Sequence, residues 1–216
     1  MPTDTAHVLL RVWLPDRPGA LGLVASRIGA VDGDIVGIDV LERGDGIVVD
    51  EFAVEVANRE LLELMVREIE EVDGASVEEV RIVGSFPDPR LDALASAEQL
   101  CLAASIGELQ QTLVEHLRQE FLAEWTALLV DGAVVATAGS DQPTDEMLTA
   151  LASGTSASPA VACGSAGPED LAVAVLPEHD ATLLLGRSGH PFRRRERLQL
   201  LALTRIADRA WVLLDN

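Results

Sequence analysis

The chain has 216 residues, 48% of them hydrophobic, so it is long and apolar enough to bury one large core or two small ones. All 16 basic residues are arginine and they face 36 acids, a net charge of -20 that sets the surface against nucleic-acid backbones and anionic membranes. The acids are scattered rather than blocked, no apolar run approaches the ~18 residues of a membrane span, and the polar start from Met1 to Ala6 carries no basic-then-apolar signal.

In chain order, "HVLLRVWL" from His7 to Leu14 is a strand. Leu21, Val24, Ala25 and Ile28 then fall at helical spacing on one face, and Gly33 closes that helical region. "DIVGIDVLER" alternates, with Ile35, Gly37 and Asp39 on one side and Val36, Ile38 and Val40 on the other. "GDG" at 44–46 is a hairpin turn, and "IVVDEFAVEV" returns as a strand whose one side is Val48, Asp50, Phe52, Val54 and Val56. Leu62, Met65, Val66 and Ile69 mark a second amphipathic helix, and "ASVEEVRIV" closes as a strand. The order βαββαβ predicts a ferredoxin-like sandwich, an antiparallel sheet with both helices on one face.

"SFPDP" at 85–89 breaks the pattern and is the expected domain boundary. The organisation expected is a first domain over 1–84, a linker with a helix over 85–106 and a second domain over 107–216. "LDALASAEQLCLAAS" and "GELQQTLVEHLRQEFLAEW" are helical with a break at Gly107, and "TALLVDGAVVATAG" is two strands about Asp131-Gly132. "TDEMLTALAS" is a short helix capped by Thr144, and "GTSASPAVACGSAGPED" is irregular. "LAVAVLP" and "ATLLLGRS" are a strand pair across "EHD". "PFRRRERLQLLALTRIADRAWVLLD" is a long terminal helix with Leu200, Leu203, Ala207, Ala210 and Leu214 buried and Gln199, Arg205, Asp208 and Arg209 elsewhere. This second half predicts another α+β domain, a central antiparallel sheet with helices packed against it.

The corner Asp16-Arg17-Pro18-Gly19-Ala20-Leu21 offers the most chemistry. Pro18 suits the first helical position, and it bars Arg17 from helical geometry. Gly19 permits close approach. The N–H groups of Ala20 and Leu21 then stand free at a positive helix end, ready for a carboxylate, and Asp16 beside them is ready for an ammonium. The same residues also read as plain structure, with Asp16 as a helix cap and Arg17 as a solvated charge.

"LPDRPGALGLVASRI", "DGDIVGIDVLER" and "VVDEFAVEV" together resemble an ACT domain over residues 7 to about 84. The resemblance implies a small regulatory ferredoxin-like module that binds an effector amino acid where two such domains pair. It nominates Asp16, Arg17, Pro18, Gly19, Ala20 and Leu21, with Asp34 and Ile35 opposite them. Family members often carry Asn in place of Asp34; an acid there opposes a ligand carboxylate and favours an ammonium. Residues 107 to 214 resemble, more weakly, a GAF-type domain, through the long helix, "WTALLVDGAVVATAG" and "LLLGRSGHPFRRRERLQLLALTRIADRAW". That resemblance implies a small-molecule sensor or a dimerisation module.

Arg193, Arg194, Arg195 and Arg197 gather at one helix start, either as a site for phosphate or an acidic partner or as a solvated first turn. His7, His116, His179 and His190 have no metal-ligand spacing, and Cys101 and Cys163 lie far apart with no CxxC, in keeping with a reduced, cytoplasmic setting. The glycine-rich "CGSAGPED" lacks the features of a phosphate or dinucleotide loop, and no nucleophile elbow is present. The expectation is a non-catalytic regulatory protein without metal or cofactor, working as a homodimer that senses an amino acid and signals through a protein partner. The alternative is a dimerisation adaptor that binds no amino acid.

Overall fold

A computed structural model of the chain describes residues 5–156, 158–162, 168 and 170–215. The protein is α+β, with two four-stranded antiparallel sheets in two units, Met1–Pro87 and Asp88–Asn216.

The first unit runs β1 (Ala6–Pro15), α1 (Ala20–Ala30), β2 (Gly33–Gly44), β3 (Ile47–Val56), α2 (Leu62–Glu70) and β4 (Ser76–Val83), in sheet order β2-β3-β1-β4. This is the βαββαβ arrangement characteristic of ACT-like folds. The near-continuous apolar run of β1 makes it an interior strand, paired to β3 and β4. Val8, Leu10, Val12 and Leu14 of β1 share one face with Phe52, Val54 and Val56, and Val24, Ile28, Met65 and Ile69 of the two helices bury against them. Both helices therefore cover the same face.

Three local details depart from the periodicity. The buried residues of α1 are Ala20, Val24 and Ile28, at a spacing of four, which leaves Leu21 at 41% exposure. The helix ends at Ala30, with Asp32 at a φ of 57°, so Gly33 opens the next strand instead of closing the helix; a Cβ there would press on Ile28 and Met65. In β2, register shifts between Ile35 and Gly37 and between Val40 and Glu42 interrupt the alternation. Ile35 pairs with Val54 and packs against the core, and Ile38 pairs with Phe52 despite their odd separation but stays 42% exposed on the edge strand.

The second unit contains α3 (Pro89–Cys101), α4 (Ile106–Glu120), β5 (Trp125–Val130), β6 (Ala133–Gly139), α5 (Asp145–Ser156), α6 (Pro159–Ala162), β7 (Leu171–Leu176), β8 (Ala181–Gly186) and α7 (Arg194–Leu214). Its sheet order is β6-β5-β8-β7. One face packs Leu128, Leu183 and Leu185 against Leu113 and Leu117 of α4 and Leu200, Leu203 and Trp211 of α7. The other packs Trp125, Leu129 and Leu184 against Leu148 and Ala152 of α5. Gly186 is required beneath the Trp125 ring, which a Cβ would meet at 2.2 Å.

The helix expected in a linker is α3, and its fully buried Leu100 belongs to the core shared with α4 and α7. The break between α3 and α4 falls before Gly107, where Ser105 caps α4: the Glu108 N–H donates to Ser105 Oγ at 3.3 Å and the Glu108 carboxylate accepts from the Ala104 N–H at 2.9 Å. The stretch expected to be irregular holds the last turn of α5 and the short α6, while Cys163 lies outside the described residues.

The terminal helix differs from its expected polar face in one residue. Asp208 is buried, its Oδ1 lies 2.7 Å from His179 Nδ1, and the imidazole stacks on Trp211. Among the described residues no helix is long and apolar enough to cross a membrane, and no group of three His, Cys, Asp or Glu is placed to hold a metal ion.

Candidate functional site

Arg17, Pro18, Gly19 and Ala20 form a tight turn at the end of β1. The Ala20 N–H donates to the Arg17 carbonyl at 3.3 Å, and Gly19 has φ 90° and ψ -14°. Pro at the second position and left-handed Gly at the third define a type II turn. Pro18 is therefore a turn residue and not the first residue of α1. Gly19 is the N-cap, and its carbonyl accepts the first helical hydrogen bond from Leu23 at 3.0 Å. Only a residue tolerant of positive φ fits Gly19, although a Cβ there would meet nothing within 4 Å.

This geometry changes which groups are available. The Ala20 N–H is consumed by the turn, so the free donors at the helix start are Leu21 and Gly22, which have no acceptor among the described residues. Leu21 and Gly22 are exposed, so both donors face solvent at the positive end of α1. Arg17 reaches Asp73 at 3.7 Å and remains half exposed.

Asp16 does not cap the helix, and it is not free. Its carboxylate accepts from both Nε and Nη2 of Arg43 at 2.8 Å, and its N–H donates to the Gly46 carbonyl at 2.8 Å. The hydrogen bonds from Arg43 hold the Asp16 carboxyl below its ordinary range, against a smaller opposing effect of burial. The corner is thereby strapped to the β2–β3 hairpin through an exposed bidentate pair.

Asp34 and Ile35 lie elsewhere. Gly33 is in register with Val56 and so with Ala6, at the start of β1, while the corner follows Pro15 at its end. The length of β1 separates the two groups by about 30 Å at ~3.3 Å per residue. The structure thus brings Asp16 to Leu21 together and leaves Asp34 and Ile35 at the far end of the same sheet. All eight residues meet only if a second copy supplies one of the two groups.

A residue without an assigned role in the sequence reading is Asp50. It pairs with Val12 and Val40 on the helix-covered face, three register positions inside the corner, and only 4% of it is exposed. Its Oδ1 is buried without a hydrogen-bond partner, and burial pushes its carboxyl up from the ordinary range. The signal was present in the chain: Asp50 interrupts the apolar series Val48, Phe52, Val54 and Val56. On the opposite sheet face, Arg11 is 5% exposed and lies 3.2 Å from Glu51, 3.8 Å from Glu79 and 4.0 Å from Glu78.

The arginine cluster of the second unit is only partly at the surface. Arg193 and Arg197 are buried. Arg197 donates from Nη2 to the Pro168 carbonyl at 2.7 Å, from Nη1 to the Leu171 carbonyl at 2.9 Å and from Nε to the Phe192 carbonyl at 3.2 Å. Arg187 similarly ties the Phe121, His190 and Pro191 carbonyls to Glu196. The Arg187 and Arg197 guanidiniums thus satisfy backbone carbonyls at the loop ends, so Arg197 is engaged by the fold itself.

No protein-family model and no curated protein matches this sequence. Among solved structures, the chain is similar to the ACT domain of GTP pyrophosphokinase from Chlorobium tepidum. The solution structure is 19% identical at a TM-score of 0.30, over 41% of this chain and 94% of that one. The crystal structure is 20% identical at a TM-score of 0.28, over 37% and 96%. A bacteriophytochrome from the photosynthetic bacterium R. palustris is 16% identical at a TM-score of 0.34, over 69% of this chain and 34% of that one.

Proposed function

We propose that the protein is a non-catalytic regulator that binds an amino acid at the corner of its first unit, where two copies of that unit pair. The observation that carries this reading is the exposed helix start beyond Gly19, where the Leu21 and Gly22 N–H groups remain without acceptors. Two adjacent donors at the positive end of a helix match a ligand carboxylate. The ligand ammonium then falls to the second copy, whose Asp34 is an exposed acid at a strand start. Asp34 is thus useful as an acid once it lies across a pairing interface, whereas Asp16 is already engaged by Arg43. The resemblance of "PDRPGALG" and the strand after it to the ACT pattern supports the same assignment.

Thermal-shift screening of the full chain against the amino acids tests it. A ligand present at ~100 times its dissociation constant stabilises the native state by about 2.7 kcal/mol, an easily read rise in melting temperature. If no amino acid raises it at millimolar concentration, the sensing reading fails. The Asp16–Arg43 pair favours a second reading, a pairing module that binds no amino acid, because it closes the corner with the chain's own charges. That reading expects a dimer whose stability ignores amino acids and whose Asp16→Ala variant still pairs.

A further inference from the structure

Helices α3 and α7 are neighbours in the second unit, and each turns exposed leucines outward, beside a glutamate on α3 and two arginines on α7. On α3, Leu91, Leu94, Glu98 and Leu102 recur at helical spacing on the side opposite Ser96 and Leu100, which are buried. The Leu102 N–H still donates to the Glu98 carbonyl at 3.0 Å, so it continues the stripe. On α7, Leu198, Arg205, Arg209 and Leu213 form the stripe opposite the buried Leu203, Ala207 and Trp211. Leu213, Leu94, Leu102 and Leu91 are 75%, 68%, 66% and 63% exposed, the four most exposed large apolar side chains among the described residues. Such clustering on one face marks an interaction surface, whereas single exposed leucines need no explanation.

An open groove of about 490 Å³ lies between the α3 end and α7, walled by Ala103, Ile206, Ala210 and Leu214 with Arg205 and Arg209 beside them. The chain has more than twice as many acids as arginines. Even so, among the described residues the side chains of Arg205 and Arg209 have no ion-pair or hydrogen-bond partner, and neither has that of Glu98. One face thus presents an unengaged acid on one stripe and two unengaged arginines on the other. A two-fold axis that lays α3 of one copy on α7 of the other satisfies both charges with the same contact.

We propose that a second copy of the chain covers this face. The α3 leucines of each copy enter the groove of the other, and Glu98 meets the partner's Arg205 and Arg209. The 21-residue α7 is about 31 Å long at 1.5 Å per residue. Two adjacent helices about 20 Å wide then give a footprint of roughly 600 Å² before side-chain relief, close to the ~800 Å² per partner of a standard interface. This contact needs no ligand and stands without the amino-acid reading. If that reading holds, the dimer gives the two first units a tethered effective concentration of about millimolar. An amino acid would then modulate a contact within one particle instead of driving assembly.

Sedimentation of the full chain without added amino acid tests the proposal. The wild type sediments as a dimer. Glu98→Arg alone, and Arg205→Glu with Arg209→Glu, each set like charges face to face and weaken the dimer about a hundred-fold or more. The three changes together restore it. Leu213→Glu yields a monomer whose circular dichroism matches that of the wild type, because that residue is outside the core. A monomeric wild type overturns the proposal and leaves the face to another occupant. A dimer that survives both charge variants and Leu213→Glu, or charge variants that do not rescue one another, overturns it too. Calorimetry with amino acids on the same samples separates the two readings: an intact dimer that binds none sinks only the proposed function.

Discussion

Asp50→Val is expected to stabilise the first unit at neutral pH, and the gain is expected to shrink in acid. Asp50 lies on a face otherwise built from Val8, Leu10, Val12, Phe52 and Val54, with one carboxylate oxygen buried and unpartnered. A buried polar group without a partner costs roughly 1–3 kcal/mol, and a valine of similar volume removes that cost while suiting the strand. A gain of about 1–2 kcal/mol corresponds to roughly 4–8 °C per kcal/mol in a domain of this size. The pH dependence has a definite sign. Burial raises the folded-state pKa of Asp50, so its contribution is fully present below the unfolded-state value and is lost as pH rises through the folded-state value. Wild type and variant therefore converge as pH falls through that window and separate above it. Calorimetric melts at neutral pH and at mildly acidic pH measure both effects. A variant less stable than wild type at neutral pH, or a gain independent of pH, refutes the reasoning. A loss of amino-acid response in a stabilised variant would show that the carboxylate is retained for binding at a cost in stability.

Gly19→Ala costs about 1–2 kcal/mol in urea unfolding, entirely from the positive φ, because the added methyl has open space; an unchanged midpoint would contradict the type II turn. Arg197→Leu strands three carbonyl acceptors and destabilises the second unit by roughly 3 kcal/mol, and Arg197→Lys rescues little because one ammonium cannot reproduce the fork. Near-wild-type melting of Arg197→Lys would count against that account. The Asp16 contribution to stability is present above its unfolded-state pKa and disappears as pH falls through its lowered folded-state pKa. Arg43→Ala moves the Asp16 carboxyl titration upward in carbon-detected NMR, and an unmoved midpoint would mean the pair does not persist in solution.

Much of the architecture is legible in the chain because it rests on local physics. Apolar periodicity, the Gly-containing hairpin turns and the proline break at 87–89 place the strands and helices in order. The same reading marks the corner at 16–21 by composition, since Pro-Gly specifies a turn wherever it occurs. The bulges of β2 are not legible, because they answer to the pairing register with β3 and not to any residue pattern in β2 itself. The same holds for α3, whose balanced composition says little until Leu100 is seen in the core beneath α7.

The residues available for chemistry were decided by tertiary contact. Sequence alone placed an acid, two free N–H groups and an arginine at one corner. The fold then gave Asp16 to Arg43, 27 positions away, and the Ala20 N–H to the turn. It also set Asp34 about 30 Å from the corner, a separation invisible to spacing because only α1 and the turn after it lie between them in the chain, while the distance is that of β1. Arg197 reads as part of a surface cluster until the loops around 168–192 supply three carbonyls that only an inward guanidinium can satisfy. Local sequence determined which secondary structures form and which groups lie near one another along the chain. Long-range pairing determined which of those groups are spent on the fold and which remain for a ligand or a second copy, because each hydrogen bond and charge can be satisfied only once its partner has been brought to it.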